Sequence, residues 1–300
     1  MSGTVAPVAP DGLVVVDKAG GMTSHDVVAR ARRLLSTRKV GHAGTLDPMA
    51  TGVLVLGVGR ATRLLGHLQL TDKTYDATVR LGATTTTDDA EGETVATAAV
   101  DGVSEEQVRD ALAGFVGELD QVPSAVSAIK VDGRRAYDRV RAGEQVELAS
   151  RRVTVHDLAV HDVRRAGADH GRVLDVDLTL HCSTGTYVRA VARDLGRQLG
   201  TGGHLTALRR TSVGPFGLDV ARTLEELQDD PTVLPIAAAA RRGFASRDLD
   251  EDQAADVRVG RKLDLELGGA GPVAVFAPDG TFLALYEQAG GRARAVAVFV

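Results

Sequence analysis

Residues 41–52, GHAGTLDPMATG, hold a single carboxylate, Asp47, in a stretch that carries three glycines and a proline and no apolar period. Glycines allow backbone angles and close ligand approach that other residues forbid, and Pro48 fixes the chain immediately after the carboxylate. An aspartate held rigidly in such a loop suits a nucleophile or a general base. The same Asp-Pro pair also suits an ordinary turn, and the residues alone leave both readings open. The loop is not a phosphate-binding P-loop, because no Gly-Lys-Ser/Thr follows, and it lacks the second aspartate of phosphoaspartyl hydrolases. The one cysteine, Cys182, excludes an internal disulfide and any Cys-x-x-Cys pair. Neither metal-ligand spacing nor a nucleotide-binding fingerprint is present.

Several elements must position this loop. The apolar run Leu13 to Val16 reads as a strand ending at the Gly20-Gly21 turn, and Thr23 or Ser24 caps a helix that runs through Leu35. Residues 36–52 read as loop, Val53 to Val58 as a strand, and Arg60 to Leu70 as an amphipathic helix. Lys73 to Leu81 alternates as a strand does. A polar loop follows, and Ser104 to Gln107 is a capping box for a helix reaching Phe115. Val122 to Val131 is extended up to an Asp132-Gly133 turn, and Tyr137 to Arg141 is a short helix. Strands are expected at Val153 to Val163, Val173 to His181 and Leu205 to Arg210, with a helix from Gly185 to Leu199. Beyond a connection at 221–249, a helix at Asp250 to Val257 and strands at Val273 to Phe276 and Phe282 to Tyr286 mark a small β-rich domain over 250–300. The expected fold class is α+β with a mainly antiparallel sheet, preceded by a disordered segment at 1–11 and built on a domain at 12–220.

The composition narrows the partners. With 44% apolar and 25% charged residues in 300, the chain has material for a real core, and no segment reaches the ~18 apolar residues of a membrane span. Residues 1–11 lack a basic, apolar leader, so a cytoplasmic protein is expected. The net charge of −5 argues against a nucleic-acid partner at face value. Its distribution is uneven: +4 over residues 1–80, −9 over 81–129, +4 over 130–220 and −4 over 221–300. Two basic blocks flanking an acidic one permit a local basic face, although charge alone favours a solvated surface of mixed charge. Aromatic residues are only 3%, so any base stacking falls to individual tyrosines.

Five ordered segments, together with the 41–54 loop GHAGTLDPMATGVL, resemble the TruB family of pseudouridine synthases. They are 13–24 (LVVVDK followed by GGMTS), 72–75 (DKTY), 122–130 (VPSAVSAIK), 182–189 (CSTGTYVR) and 202–210 (GGHLTALRR). The resemblance implies a catalytic domain over 12–220 and a PUA-like domain over 250–300. It also implies isomerisation of the T-loop uridine at position 55 of tRNA, after the base is flipped out and without a metal or organic cofactor. Asp47 would be the nucleophile, attacking C1′ of the ribose or adding to C6 of the base. Tyr75 would pack on the flipped uracil and take part in proton transfer. Arg189 would pair with Asp47, keeping it ionised and oriented, and Tyr187 and Leu208 would line the base pocket. His42 would sit beside the flipped nucleotide, and Asp89 would lie on an acidic loop near the substrate. Lys18 and Lys130 are candidates for phosphate or structural contacts, and Arg134 and Arg135 for the RNA-facing block. Ala43 stands where threonine is common in the family. The implied partner is the tRNA T-arm stem-loop, bound by a monomer with no membrane and no obligatory protein partner. A non-catalytic RNA chaperone of the same fold and a synthase acting on another target, such as ribosomal RNA or a guide-RNA-dependent substrate, are the competing readings.

Overall fold

The computed structural model describes residues 10–125, 130–131, 134–135, 148–168, 171–268 and 271–300. The fold is α+β and mainly antiparallel, and the chain divides into two compact units. Unit 1 gathers residues 1–47, 53–69 and 213–300, and unit 2 gathers 48–52 and 70–212. No helix among the described residues is long and apolar enough to cross a membrane.

In unit 1 the strand Gly12–Lys18 buries every side chain except Asp17, as a strand covered on both faces must. It lies between Leu234–Pro235 and Thr51–Val58, and Val40–His42 pairs with Thr51–Val58. Five residues of the expected 36–52 loop, 40–42 and 51–52, are therefore strand. The helix expected at 60–70 is instead a 3-10 turn, Gly59–Arg63, followed by a four-residue helix, Leu65–Leu68. Gly59 enters at φ +60, and the Arg60 and Arg63 guanidiniums reach the carbonyls of Phe299 and Val298, contacts that a straight helix would redirect. Arg60 also pairs with Asp11 at 2.6 Å.

The C-terminal part of unit 1 is a four-stranded sheet, Ala245–Asp248, Val273–Phe276, Phe282–Ala289 and Arg292–Val298. The first two strands are parallel and the rest antiparallel. Its core collects Val275, Leu283, Tyr286 and Ala293 with Ala254 and Val257 of the helix Glu251–Arg258, which Asp250 caps. Sequence patterning misses the first and last strands because ASRD has no apolar face and RARAVAV alternates arginine with alanine. It also misses two short helices, Leu224–Asp229 and Ile236–Gly243.

Unit 2 is built on a sheet in the order Gly203–Val213 (to Ser212), Lys73–Leu81, Gly171–Cys182, Arg151–Ala168 and Gly117–Gln121. Strict alternation in KTYDATVRL separates its two faces. Tyr75, Ala77, Val79 and Leu81 are buried with Leu174, Val176, Leu178 and Leu180 from the neighbouring strand. On the opposite face Asp76 accepts from Thr179 at 2.7 Å, Asp177 from Thr78 at 2.6 Å, and Arg80 forks onto Asp175 at 2.7 and 2.8 Å. The helix Val188–Gln198 buries Val188, Val191, Ala192 and Leu195. It starts later than the Gly185 expected, because Gly185 takes φ +86 in the preceding turn. The helix expected at 137–141 lies outside the described residues, as do the side chains of Lys130, Arg134 and Arg135.

Lys73 shows what burial does to a cation in this unit. Its residue is 6% exposed, and desolvation, reinforced by the nearby Arg210, pushes the ammonium down to about 8. The folded pKa lies below the unfolded one, so the unfolded chain holds more protons between about 8 and 10.5, and stability rises with pH there. Urea unfolding at pH 8 and pH 10 should show a gain of about 2 kcal/mol, which Lys73→Met removes.

Candidate active site

The loop that carries Asp47 is framed in unit 1 by the helix Ser24–Leu34 on one side of the sequence and the strand Thr51–Val58 on the other. Thr23 caps that helix in a reciprocal box with Asp26, whose carboxyl the two Thr23 hydrogen bonds hold below its usual range. Inside the loop the Ala43 N–H donates to Val55 O at 2.9 Å, and Gly44 turns the chain at φ +89. Ala43 is fully buried, which explains a small apolar side chain at that position. His42 ends the strand Val40–His42, and its ring meets that of His25 edge-on, with centroids 5.7 Å apart. The division between the units falls directly after Asp47.

Pro48 to Gly52 belong to unit 2, where Thr51 and Gly52 pair in parallel with Arg209 and Arg210. Gly52 sits at φ +96, and a Cβ there would lie 2.2 Å from the Arg210 carbonyl oxygen. Only glycine lets the loop leave against that strand. Gly52→Ala should cost more than about 3 kcal/mol, read as a lost or sharply lowered thermal transition.

Asp89, Arg189, Tyr187, Tyr75 and Leu208 lie in unit 2. Arg189 stands in the first turn of Val188–Gln198 and is 5% exposed. Its guanidinium lies 3.4 Å from the Asp89 carboxylate and donates to Thr87 O at 2.9 Å. Asp89, 3% exposed, also accepts from the Thr87 hydroxyl and from the Glu91 N–H at 3.1 Å. Beside this pair Arg193 meets Asp88 at 3.5 Å. Tyr187 is half-buried, with its backbone N–H and carbonyl gripped by the Gln121 side chain at 2.8 and 3.1 Å. Tyr75 and Leu208 are each 8% exposed. Leu208 lines a cavity of about 500 Å³, together with Met49, Thr51, Asp76, Thr206 and Arg209.

The structure thus brings Asp89 and Arg189 together, and places His42 and Asp47 five residues apart on one segment. Sequence reasoning missed the Asp89–Arg189 pair and the grip of Gln121 on Tyr187, since nothing in either local pattern signals a partner 66 or 100 residues away. Lys18, for which the sequence leaves phosphate and structural contacts both open, is fully buried, and its ammonium donates to Ala19 O at 3.0 Å and Met22 O at 2.7 Å, which is the structural contact.

Comparison with known proteins identifies the architecture. Residues 32–188 match the model of the TruB family pseudouridylate synthase N-terminal domain. Residues 189–234 match the tRNA pseudouridylate synthase B C-terminal domain, and 244–300 match the C-terminal domain of tRNA pseudouridine synthase II. Proteins named tRNA pseudouridine synthase B are 57% identical in Streptomyces griseus, over 97% of both chains, and 58% identical in an Arthrobacter species, over 96% of both. The chain belongs to the TruB family of pseudouridine synthases. Membership makes it an enzyme. The TruB-type fold is also shared with more distant solved structures. One is an H/ACA ribonucleoprotein bound to a substrate RNA containing 2′-deoxyuridine, with a TM-score of 0.70, 24% identity, and coverage of 96% of this chain and 85% of that one. Another is a Cbf5-Nop10-Gar1 complex, with a TM-score of 0.71, 25% identity, and coverage of 96% and 84%.

Proposed function

We propose that this TruB enzyme converts the uridine at position 55 of the tRNA T-loop to pseudouridine, acting as a monomer without cofactor or obligatory protein partner. The observation that carries the reading is identity of 57–58% over nearly the whole of two relatives named for tRNA. In the proposed reaction Asp47 attacks C1′ or adds to C6, the N1–C1′ bond breaks, the base turns, C5 bonds to C1′, the bond to Asp47 is released, and the proton lost from C5 is balanced by one gained at N1. Atoms are conserved throughout, so no redox partner or external group is needed. Extruding the uridine costs a few kcal/mol of unstacking, which RNA contacts must offset. Arg189, oriented by Asp89, pairs with the Asp47 carboxylate. Tyr75 packs on the uracil and takes part in the proton transfer, while Tyr187 and Leu208 line the base pocket and His42 holds the extruded arrangement.

The test is conversion of an unmodified T-arm stem-loop by purified protein in EDTA, with pseudouridine quantified by nucleoside chromatography. One T-loop uridine should be converted. Tight binding without conversion would favour the chaperone reading, and conversion confined to ribosomal RNA fragments would reassign the target.

A further inference from the structure

The residue before the candidate nucleophile is clamped by a side chain from another element. Ser24, the first residue of the helix Ser24–Leu34, is 1% exposed. Its hydroxyl accepts from the Leu46 N–H at 2.9 Å and donates to Leu46 O at 3.2 Å. One hydroxyl therefore satisfies both backbone polar groups of Leu46, itself 4% exposed, using its donor and one of its acceptor positions. The carbonyl it holds belongs to the Leu46–Asp47 peptide. That peptide is planar and stiff, so fixing its oxygen fixes the plane from which the Asp47 Cα is suspended. The chain then meets Pro48, whose ring restricts the next rotation. The helix that presents Ser24 is in turn anchored by the Thr23–Asp26 capping box.

We infer that Ser24 is a positioning residue for catalysis: it acts through the Leu46 peptide to aim the Asp47 carboxylate. The inference rests on the reading of Asp47 as nucleophile. A hydroxyl that merely filled space could be replaced by a methyl group with no consequence for the reaction. A hydroxyl that sets the attack geometry cannot, because misplacing a reacting group by about 1 Å costs about 100-fold in rate.

The experiment compares wild type with Ser24→Ala, Ser24→Cys, Asp47→Asn and Thr223→Ala on the T-arm stem-loop. Thr223 caps the helix Leu224–Asp229 in the same unit, and its loss controls for a general fall in stability. Ser24→Ala should lower kcat about 10- to 100-fold with KM for RNA within about threefold. Ser24→Cys, whose thiol donates weakly, should fall between it and wild type. Amide exchange at Leu46 should accelerate in Ser24→Ala while the amides of Val53 to Val58 stay protected. An unchanged kcat overturns the proposal. So does a loss of activity that only tracks the folded fraction, as in Thr223→Ala, or a failure of both Ser24 variants to fold, which would make the role purely structural. If wild type is inactive or Asp47→Asn is fully active, the functional reading has failed, and Leu46 exchange still reports on the clamp.

Discussion

Asp47→Asn is expected to abolish pseudouridine formation, by at least about 10⁴-fold in kcat, while leaving affinity for the T-arm within a few fold. The size follows from what is removed: an amide oxygen cannot form the covalent bond that divides the isomerisation into two easier steps. Affinity should persist because protein–RNA affinity draws mainly on phosphate contacts made by basic side chains rather than on one acid. Filter binding alongside single-turnover kinetics separates the two quantities. A variant that converts uridine at more than about a hundredth of the wild-type rate would remove Asp47 from the role of nucleophile.

The second large effect belongs to the Asp89–Arg189 pair. Both side chains are about 95% buried, and removing one partner of a buried pair costs about 3–5 kcal/mol, because the remaining charge loses its compensation in a medium that solvates it poorly. Asp89→Ala should therefore lower stability by that amount in urea, and lower activity as well, since Arg189 loses the carboxylate that orients it. Asp89→Leu combined with Arg189→Met should recover most of the stability, because apolar replacement of a whole buried pair is often neutral or favourable. The double variant should stay inactive. A double-mutant cycle reads the coupling directly. Recovery of activity together with stability would mean that the pair serves folding alone.

How far the sequence reaches can be judged from particular residues. The strand Lys73–Leu81 is legible to the residue because one of its faces is buried and its side chains alternate without interruption. The helices after Ser104 and Asp250 are legible because their capping boxes are local. The helix expected at 60–70 is not, since the contacts of Arg60 and Arg63 that break it lie some 235 residues away. The candidate site divides in the same manner. Asp47 is marked by the loop around it, but its chain contains 40 acids and 35 lysines and arginines, and no local pattern says that Asp89 meets Arg189. The Ser24 clamp on Leu46 is likewise a contact between two unremarkable residues 22 positions apart.

The membership of unit 1 has a consequence for synthesis on the ribosome. Unit 2 is almost one continuous stretch, 70–212, and can fold as it emerges. Unit 1 holds the Asp47 loop and also needs residues 213–300, including the Leu234–Pro235 partner of the first strand. The first 47 residues must therefore wait, with apolar strand exposed, until translation is nearly finished. A chain that stops early loses more than its C-terminal sheet: the segment carrying the candidate nucleophile never receives the rest of its core, and such a fragment should be a target for chaperones and proteases rather than a slow enzyme.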